Sequence, residues 1–360
     1  MKAMILCAGL GTRLRPVTGV WPKPAMPLLG QPLFRYALAT LVRAGIRQVG
    51  INTHHLPQVM RSVAEKECAR AGVSLFVVDE AGEIQGTGGG IRGLRSFLSS
   101  GGSEFVVMNG DVLFGLELGP VIAAHRASGA SATMVLLPMP EGEKFNPVEV
   151  TQGGDVRRIA GQGPGGGGVL LPWHFSGVHV MTPAVFDFMA PSGAEDINRD
   201  VYVRMINAGL RVHGHTSLQG QVEGGAPGVY WSDLGTPARY AVTHQQLLFG
   251  QVPMGPFGEA SPFLPPVSKV QGANFFAHST SVLRDARVAG PAWFGEGCEL
   301  GDGVRIGAAV SVGPGAKVGS GAMLNRVAVL DGAEVFGGAL LEDCIVAPGG
   351  IILGDRLRFG

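Results

Sequence analysis

Between Val282 and Phe336 an apolar residue returns every six positions: Val282, Val288, Phe294, Leu300, Ile306, Val312, Val318, Leu324, Leu330 and Phe336. Six of the eight residues that follow the members from Phe294 onward are glycine. Small or apolar side chains (Cys298, Val304, Val310, Ala316, Ala322, Ala328) hold a second fixed phase. A period of six suits a parallel β-helix in which each hexad forms one face of a triangular coil. The repeated aliphatic then points inward and stacks on its neighbour one coil along. A β-helix is expected over 269–360, preceded by a Pro- and Gly-rich linker at 251–268.

Residues 1–250 follow another rule. Strand-like runs (Lys2–Cys7, Gln48–Thr53, Val73–Val78, Glu104–Met108, Ala132–Leu137) alternate with helical segments. The helices are expected at Gln31–Ala44, Leu56–Ala71, Gly90–Ser99 and Ala238–Phe249. This alternation predicts an α/β domain, a Rossmann-like, mostly parallel sheet with helices on both faces. Ligands of such sheets bind beyond the carboxyl ends of the strands. At 360 residues, 46% of them apolar, with zero formal net charge, the chain has material for two globular domains and no basic excess pointing to nucleic acid. The first apolar run stops at Gly9 and no stretch approaches a membrane span, so a cytoplasmic protein is expected. Cys7, Cys68, Cys298 and Cys344 lie far apart with no Cys-x-x-Cys pair, which suits free thiols.

The chemistry concentrates at strand ends. The first strand runs into Ala8-Gly9-Leu10-Gly11-Thr12-Arg13, and Trp21-Pro22-Lys23-Pro24 places Lys23 ten residues after Arg13. Glycines let a backbone approach phosphate oxygens with its N–H groups pointing inward, while Arg13 and Lys23 supply countercharge. A P-loop is excluded because no Gly-Lys-Ser/Thr follows, and Leu14 stands where the dinucleotide fingerprint needs its third glycine. Asp111 closes Val106-Val107-Met108-Asn109-Gly110-Asp111 and Asp233 lies in Trp231-Ser232-Asp233-Leu234-Gly235-Thr236-Pro237. Mg²⁺ is held by one or two carboxylates plus phosphates and water, a role that Asp111 and Asp233 fit. Thr236 and Pro237 read as the N-cap and first turn of a helix.

These motifs together resemble the sugar-1-phosphate nucleotidyltransferases, the nucleoside-diphosphate-sugar pyrophosphorylases. The resemblance covers residues 1 to about 250. It implies a reaction in which the phosphate of a sugar-1-phosphate attacks the α-phosphorus of a nucleoside triphosphate and pyrophosphate leaves. It further implies an NTP site at Ala8, Gly9, Gly11, Thr12, Arg13 and Lys23, with Arg13 and Lys23 acting on the reaction and Asp111 and Asp233 holding Mg²⁺. The segment Gln85-Gly86-Thr87-Gly88 matches the family's base-contacting turn. Asn146 and Glu149, in Phe145-Asn146-Pro147-Val148-Glu149-Val150, match a sugar-binding segment, as does Gly177 in Phe175-Ser176-Gly177-Val178. One departure stands out: the Glu-Lys-Pro that brings a lysine to the sugar phosphate in many members is absent from Ile159-Ala160-Gly161-Gln162-Gly163-Pro164. Arg157, Arg158 or Arg199 would have to replace it.

The tail resembles the left-handed hexapeptide-repeat β-helix of many sugar-nucleotide enzymes. It is similar to that of mannose-1-phosphate guanylyltransferases, whereas Gln85–Ile91 and Asn109–Val112 are closer to N-acetylmuramate-1-phosphate uridylyltransferases. Heptose-1-phosphate guanylyltransferases share the Gly-Thr-Gly-Gly pattern. The expected partners are GTP or UTP and a sugar-1-phosphate, with no nucleic acid, no membrane and a homo-oligomer built through the β-helix. Two other classes stand beside this reading. One is a sugar-nucleotide-binding regulatory paralogue, favoured by the missing lysine. The other is an acyltransferase β-helix, disfavoured because the last histidine, His278, precedes the regular repeat. His54 and His55 end a strand, and His213 and His215 alternate along one, so that one of the latter two is expected to face solvent.

Overall fold

The computed structural model describes residues 1–140, 145–166, 168–216, 230–252, 269–271, 274–276 and 285–353. The chain divides into two compact units. One holds Met1–Leu10, Ala37–Val112 and Leu116–Gln221; the other holds Gly11–Tyr36, Leu113–Gly115 and Val222–Gly360.

The first unit is built on a mixed sheet. Its strands are β1 (Lys2–Leu6), β2 (Gln48–Thr53), β3 (Ser74–Asp79), β4 (Phe105–Asn109), β5 (Ala132–Leu137), β6 (Val148–Val150), β7 (Val156–Ile159), β8 (Leu171–Met181) and β9 (Val212–His215). The order is β7-β6-β8-β4-β1-β2-β3, with β5 pairing both β8 and β9. The pairs β4–β1, β1–β2, β2–β3 and β5–β9 are parallel, as strand–helix alternation demands. The pairs made by β8 and the β6–β7 hairpin are antiparallel. The sheet is therefore parallel where helices separate its strands and antiparallel where β8 crosses it. Met4, Phe105, Val107, Met134 and Leu136 pack with Tyr202, Met205 and Ile206 in one core.

Two helix boundaries differ from expectation. Gln31–Pro32 pairs antiparallel with Pro27–Leu28, and the helix starts at Leu33. Leu29 and Gly30 both have positive φ, 50° and 66°, as a two-residue hairpin turn requires. The helix expected from Gly90 instead begins at Gly86 and runs to Gly93, and a second, Arg95–Ser99, follows it. Gly88 N donates to the Glu195 carbonyl at 2.9 Å, and a Cβ on Gly86 would stand 2.5 Å from that oxygen. Glycine lets the helix start against this neighbouring backbone.

In the second unit parallel strands stack into the coils of a β-helix. Arg287 pairs with Arg305 and Arg305 with Met323; Ala292 pairs with Val310 and Glu299 with Lys317. Each step is three hexads. Phe294, Leu300, Ile306, Val312, Val318 and Leu324 are buried inside, as are Cys298, Val304, Val310, Ala316 and Ala322, whereas Ala328, expected in the same phase, pairs with Ser311 and yields the inward place to Val327. The glycine that follows an inward residue lies under the next coil's backbone. A Cβ on Gly295 would meet Pro314 N at 2.4 Å, and one on Gly319 would meet Gly337 N at 2.4 Å.

The period of six does not hold to its end. Val329, not Leu330, stacks on Val312, and Val335, not Phe336, stacks on Val318. The shortened hexad turns at Arg326, which has φ 54°. Phe336 is consequently 76% exposed, although Leu330 stays buried. Val282, the first member read from the sequence, and the linker from 253 on lie outside the described residues.

The helix Pro237–Leu248 belongs to this unit. Thr236 caps it by accepting from Arg239 N at 3.3 Å. Its Tyr240 and His244 are buried, and His244 Nδ1 sits 3.1 Å from Ser311 Oγ of the coils. All four cysteines are buried and free. Among the described residues no helix is long and apolar enough to cross a membrane.

Candidate active site

In the first unit, β1 and β4 are neighbours and register Leu6 with Asn109, so the turns leaving their carboxyl ends lie side by side. Gly110 N donates to Leu6 O at 3.0 Å. A Cβ on Gly110 would come within 2.9 Å of both Ile5 Cγ2 and Leu6 O. The close approach leaves half-buried Asp111 beside Cys7, whose thiol is pushed well up by burial and then by the Asp111 charge. A Cβ on Gly9 would meet nothing within 4 Å, so this turn borders open space. Ala8 is buried beneath it.

The second strand-end turn of this unit is Gln85–Gly88. Gln85 N donates to Glu80 Oε2 at 2.9 Å, and Glu195 N donates to Gln85 O at 3.0 Å. The Gln85 side chain is engaged locally, with Nε2 on Glu83 O and Oε1 accepting from Arg92. Thr87 Oγ1 accepts from Ile197 N at 2.9 Å. Glu195 is buried and ion-paired to Arg92 and Arg204. It thereby ties this turn to the segment that precedes Ile197.

On the antiparallel side, Asn146 is exposed, while Glu149 is half-buried with Arg158 3.9 Å away. Gly177 packs on Asn109, whose Nδ2 would lie 2.9 Å from a Cβ there. The three cations considered for the missing lysine differ. Arg158 faces Glu149, Arg199 pairs with Asp196 at 3.6 Å, and Arg157 Nε is buried without a hydrogen-bond partner among the described residues.

The second unit carries the other half of the motif. Gly11 has φ 59°, and a Cβ there would stand 2.9 Å from Thr18 Cγ2, so both conformation and space require glycine. Its carbonyl accepts from Thr18 Oγ1 and from Leu14 N, closing the turn Thr12–Leu14 and leaving the Arg13 side chain 66% exposed. Lys23 is only 6% exposed, and its Nζ donates to the Asp233 carbonyl at 2.6 Å. Asp233 Oδ1 accepts from Arg239 Nη1 at 2.5 Å and Gly235 N at 3.0 Å, while Arg13 Nη2 lies 3.9 Å from Oδ2. Burial alone would raise the Asp233 pKa. The Arg239 and Gly235 hydrogen bonds and the Arg239 and Lys23 charges outweigh it and hold the carboxyl below its usual value. Arg13, Lys23 and Asp233 are thus brought together, with Arg239 as a member that sequence reading missed.

A Cβ on Gly235 would fall 2.7 Å from Arg13 Nη2 and 2.8 Å from Asp233 Oδ2.

Among the described residues no three His, Cys, Asp or Glu side chains cluster closely enough to hold an ion by themselves. Asp111 in the first unit and Asp233 in the second are each carboxylates, the donor type that Mg²⁺ takes beside phosphate oxygens and water. The histidines read differently. His54 Nδ1 faces Glu80 O at 3.1 Å. His215 is buried and His213 half-buried, so neither turns fully to solvent, and burial lowers the pKa of both.

Residues 2–248 match the family model described as nucleotidyl transferase. Among curated relatives, the UTP–glucose-1-phosphate uridylyltransferase of Synechocystis sp. is 31% identical over 58% of this chain and 56% of its own length. The mannose-1-phosphate guanyltransferase of Schizosaccharomyces pombe is 28% identical over 67% and 62%. The mannose-1-phosphate guanylyltransferase of Mycobacterium tuberculosis is 28% identical over 70% and 66%. The chain spans about three-fifths of the length of the first relatives it matches. With its phosphate-type turn, its cation pair at Asp233 and a match running from the first strand to the helix Pro237–Leu248, this chain belongs to the nucleotidyl transferase family.

Proposed function

We propose that the protein joins a sugar-1-phosphate to the nucleoside monophosphate part of an NTP, releases pyrophosphate and so makes a nucleoside-diphosphate sugar. The observation that carries this reading is Asp233. Its carbonyl holds Lys23 and its carboxylate faces Arg13 and Arg239, so that cations gather at the turns suited to a polyphosphate. Both reactants are anionic, and catalysis needs charge neutralisation and in-line positioning more than a nucleophile. Arg13 and Lys23 neutralise the triphosphate, and the N–H groups of Ala8, Gly9, Gly11 and Thr12 donate to its oxygens. Gln85, Gly86, Thr87 and Gly88 take the base, while Asn146, Glu149 and Gly177 take the sugar. Asp111 and Asp233 would hold Mg²⁺, which would supply Lewis-acid stabilisation of phosphoryl charge. Arg157 Nε, buried without a hydrogen-bond partner among the described residues, favours Arg157 for the sugar phosphate.

Mannose-1-phosphate with GTP is the preferred pair, consistent with the names of two relatives above. N-acetylmuramate-1-phosphate with UTP and heptose-1-phosphate with GTP are the alternatives. The test is Mg²⁺-dependent pyrophosphate release across a grid of five NTPs and the candidate sugar-1-phosphates. One dominant pair names the product. Silence across the grid, with sugar nucleotides still raising the melting temperature, replaces the enzyme by a binding regulator.

We place the protein in the cytoplasm, with a catalytic domain over 1–250, a linker over 251–268 and the β-helix over 269–360. The helix has a groove of about 810 Å³ with Arg287 and Arg305 at one end and, at the other, Glu342 and Asp343 sharing one Arg326, a cluster with a net negative charge. Two copies related by a two-fold axis would oppose these charges, so a homodimer mass by light scattering is expected. A monomer at micromolar concentration overturns it.

A further inference from the structure

Two side chains with no assigned role join the two strand-end turns of the first unit. Cys7 N, where β1 enters its turn, donates to Asn52 Oδ1 at 2.9 Å. Asn52 Nδ2 donates to Glu80 Oε1 at 2.7 Å. Gln85 N donates to Glu80 Oε2 at 2.9 Å. The run is continuous from one turn to the other, and each link has a fixed polarity. Asn52 is buried and stands at the carboxyl end of β2; Glu80 follows the carboxyl end of β3. A buried amide and a half-buried carboxylate that spend their polar atoms on two backbone N–H groups and on each other fix a distance between those groups.

Gly90 gives an independent sign that the relay is built in. A Cβ there would lie 2.5 Å from Asn52 Nδ2 and 3.0 Å from Glu80 Oε1. The glycine-rich helix thus leaves the room that this pair occupies. On the opposite side the turn is held by Glu195, which accepts from Gly88 N and donates to Gln85 O through its backbone. Among the described residues only the Asn52–Glu80 arm leads to Cys7.

We propose that Asn52 and Glu80 are positioning residues that set the spacing between the Cys7–Gly9 turn and the Gln85–Gly88 turn, fitting the pair to one nucleoside triphosphate. This rests on the reading above that the first turn takes the polyphosphate and the second the base. A nucleotide is a ligand of fixed length with a recognisable group at each end. A rigid strut between the two turns therefore lowers the ordering that binding would otherwise require. Neither residue touches the reacting atoms, so the strut acts on the binding of NTP and not on the chemical step.

The polarity of the links supplies the test. Glu80→Gln puts an amide donor against either Asn52 Nδ2 or Gln85 N. Asn52→Asp sets a carboxylate against Glu80. The double variant Asn52→Asp with Glu80→Gln restores every link: the new carboxylate accepts from Cys7 N and from the new amide, whose oxygen accepts from Gln85 N. Each single change is expected to raise the KM for NTP at least tenfold with kcat altered less than threefold, and the double to return within about threefold of wild type. Hydrogen exchange on the ligand-free proteins is the companion readout. Each single variant should speed exchange at both turns, and the double should slow it again. Singles that leave KM and exchange unchanged, or a double no better than the singles, overturn the strut. Exchange that behaves as expected in a wild-type protein that binds no NTP by calorimetry overturns the nucleotide reading of the turns, and the assigned role with it.

Discussion

Lys23→Met is expected to lower turnover by about 10²- to 10³-fold, the range found when a single preorganised group facing developing charge is removed. Methionine keeps an unbranched stem of similar length, so the packing of a residue that is only 6% exposed is largely preserved. What disappears is the ammonium that donates to the Asp233 carbonyl at 2.6 Å. In a proposed reaction between two anions, a buried cation fixed in this way is worth more than one in water, because it pays no reorganisation as charge shifts. Lys23→Arg tests the same point from the other side. A guanidinium keeps the charge but presents a planar fork where a compact ammonium fits, so partial activity is expected. Turnover under saturating NTP, beside the melting temperature of each variant, is the measurement. A Lys23→Met protein that folds and turns over within threefold of wild type would remove the residue from the chemistry.

The sequence shows some of this site and hides the rest for physical reasons. Gly11 is visible because its positive φ and its contact with Thr18 exclude a side chain. Arg239 is hidden because an arginine in the first turn of a helix looks like any solvated helix residue. Only the fold shows that it turns back to Asp233. Asn52 and Glu80 are hidden for a similar reason, since single polar residues at strand ends are common. Their meaning comes from the register of β1, β2 and β3, which no local pattern carries. In the β-helix the period of six is legible because an inward position between stacked coils must be apolar. The slip after Leu324 is not, because Leu330 and Phe336 are as apolar as the Val329 and Val335 that replace them. The length of β8 was masked by buried polar residues, His174, Ser176 and His179, which interrupt the apolar run a central strand would otherwise show.

Those buried histidines set an acid limit on the fold. His179 in β8 and His244 in the helix Pro237–Leu248 are both driven by burial to a pKa of about 3, against 6.5 in an unstructured chain. His179 Nδ1 meets the Tyr202 hydroxyl at 2.9 Å, and His244 Nδ1 meets Ser311 Oγ at 3.1 Å, partners that suit a neutral ring. Between pH 6.5 and 3 the unfolded chain binds these protons and the native state does not. The stability they contribute is complete above pH 6.5 and is lost as the pH falls toward 3. At pH 5 the expected loss is about 2 kcal/mol for each ring, from roughly 1.4 kcal/mol per pH unit. His125, His213 and His215, also lowered by burial, add to the same trend. Urea midpoints at pH 7.5, 6 and 5 should fall in that order. His244→Gln should flatten the decline by up to one proton's slope, about 1.4 kcal/mol per pH unit, since glutamine does not titrate. A variant whose stability falls as steeply as wild type would show that His244 is already charged in the native protein, contrary to its burial against the coils.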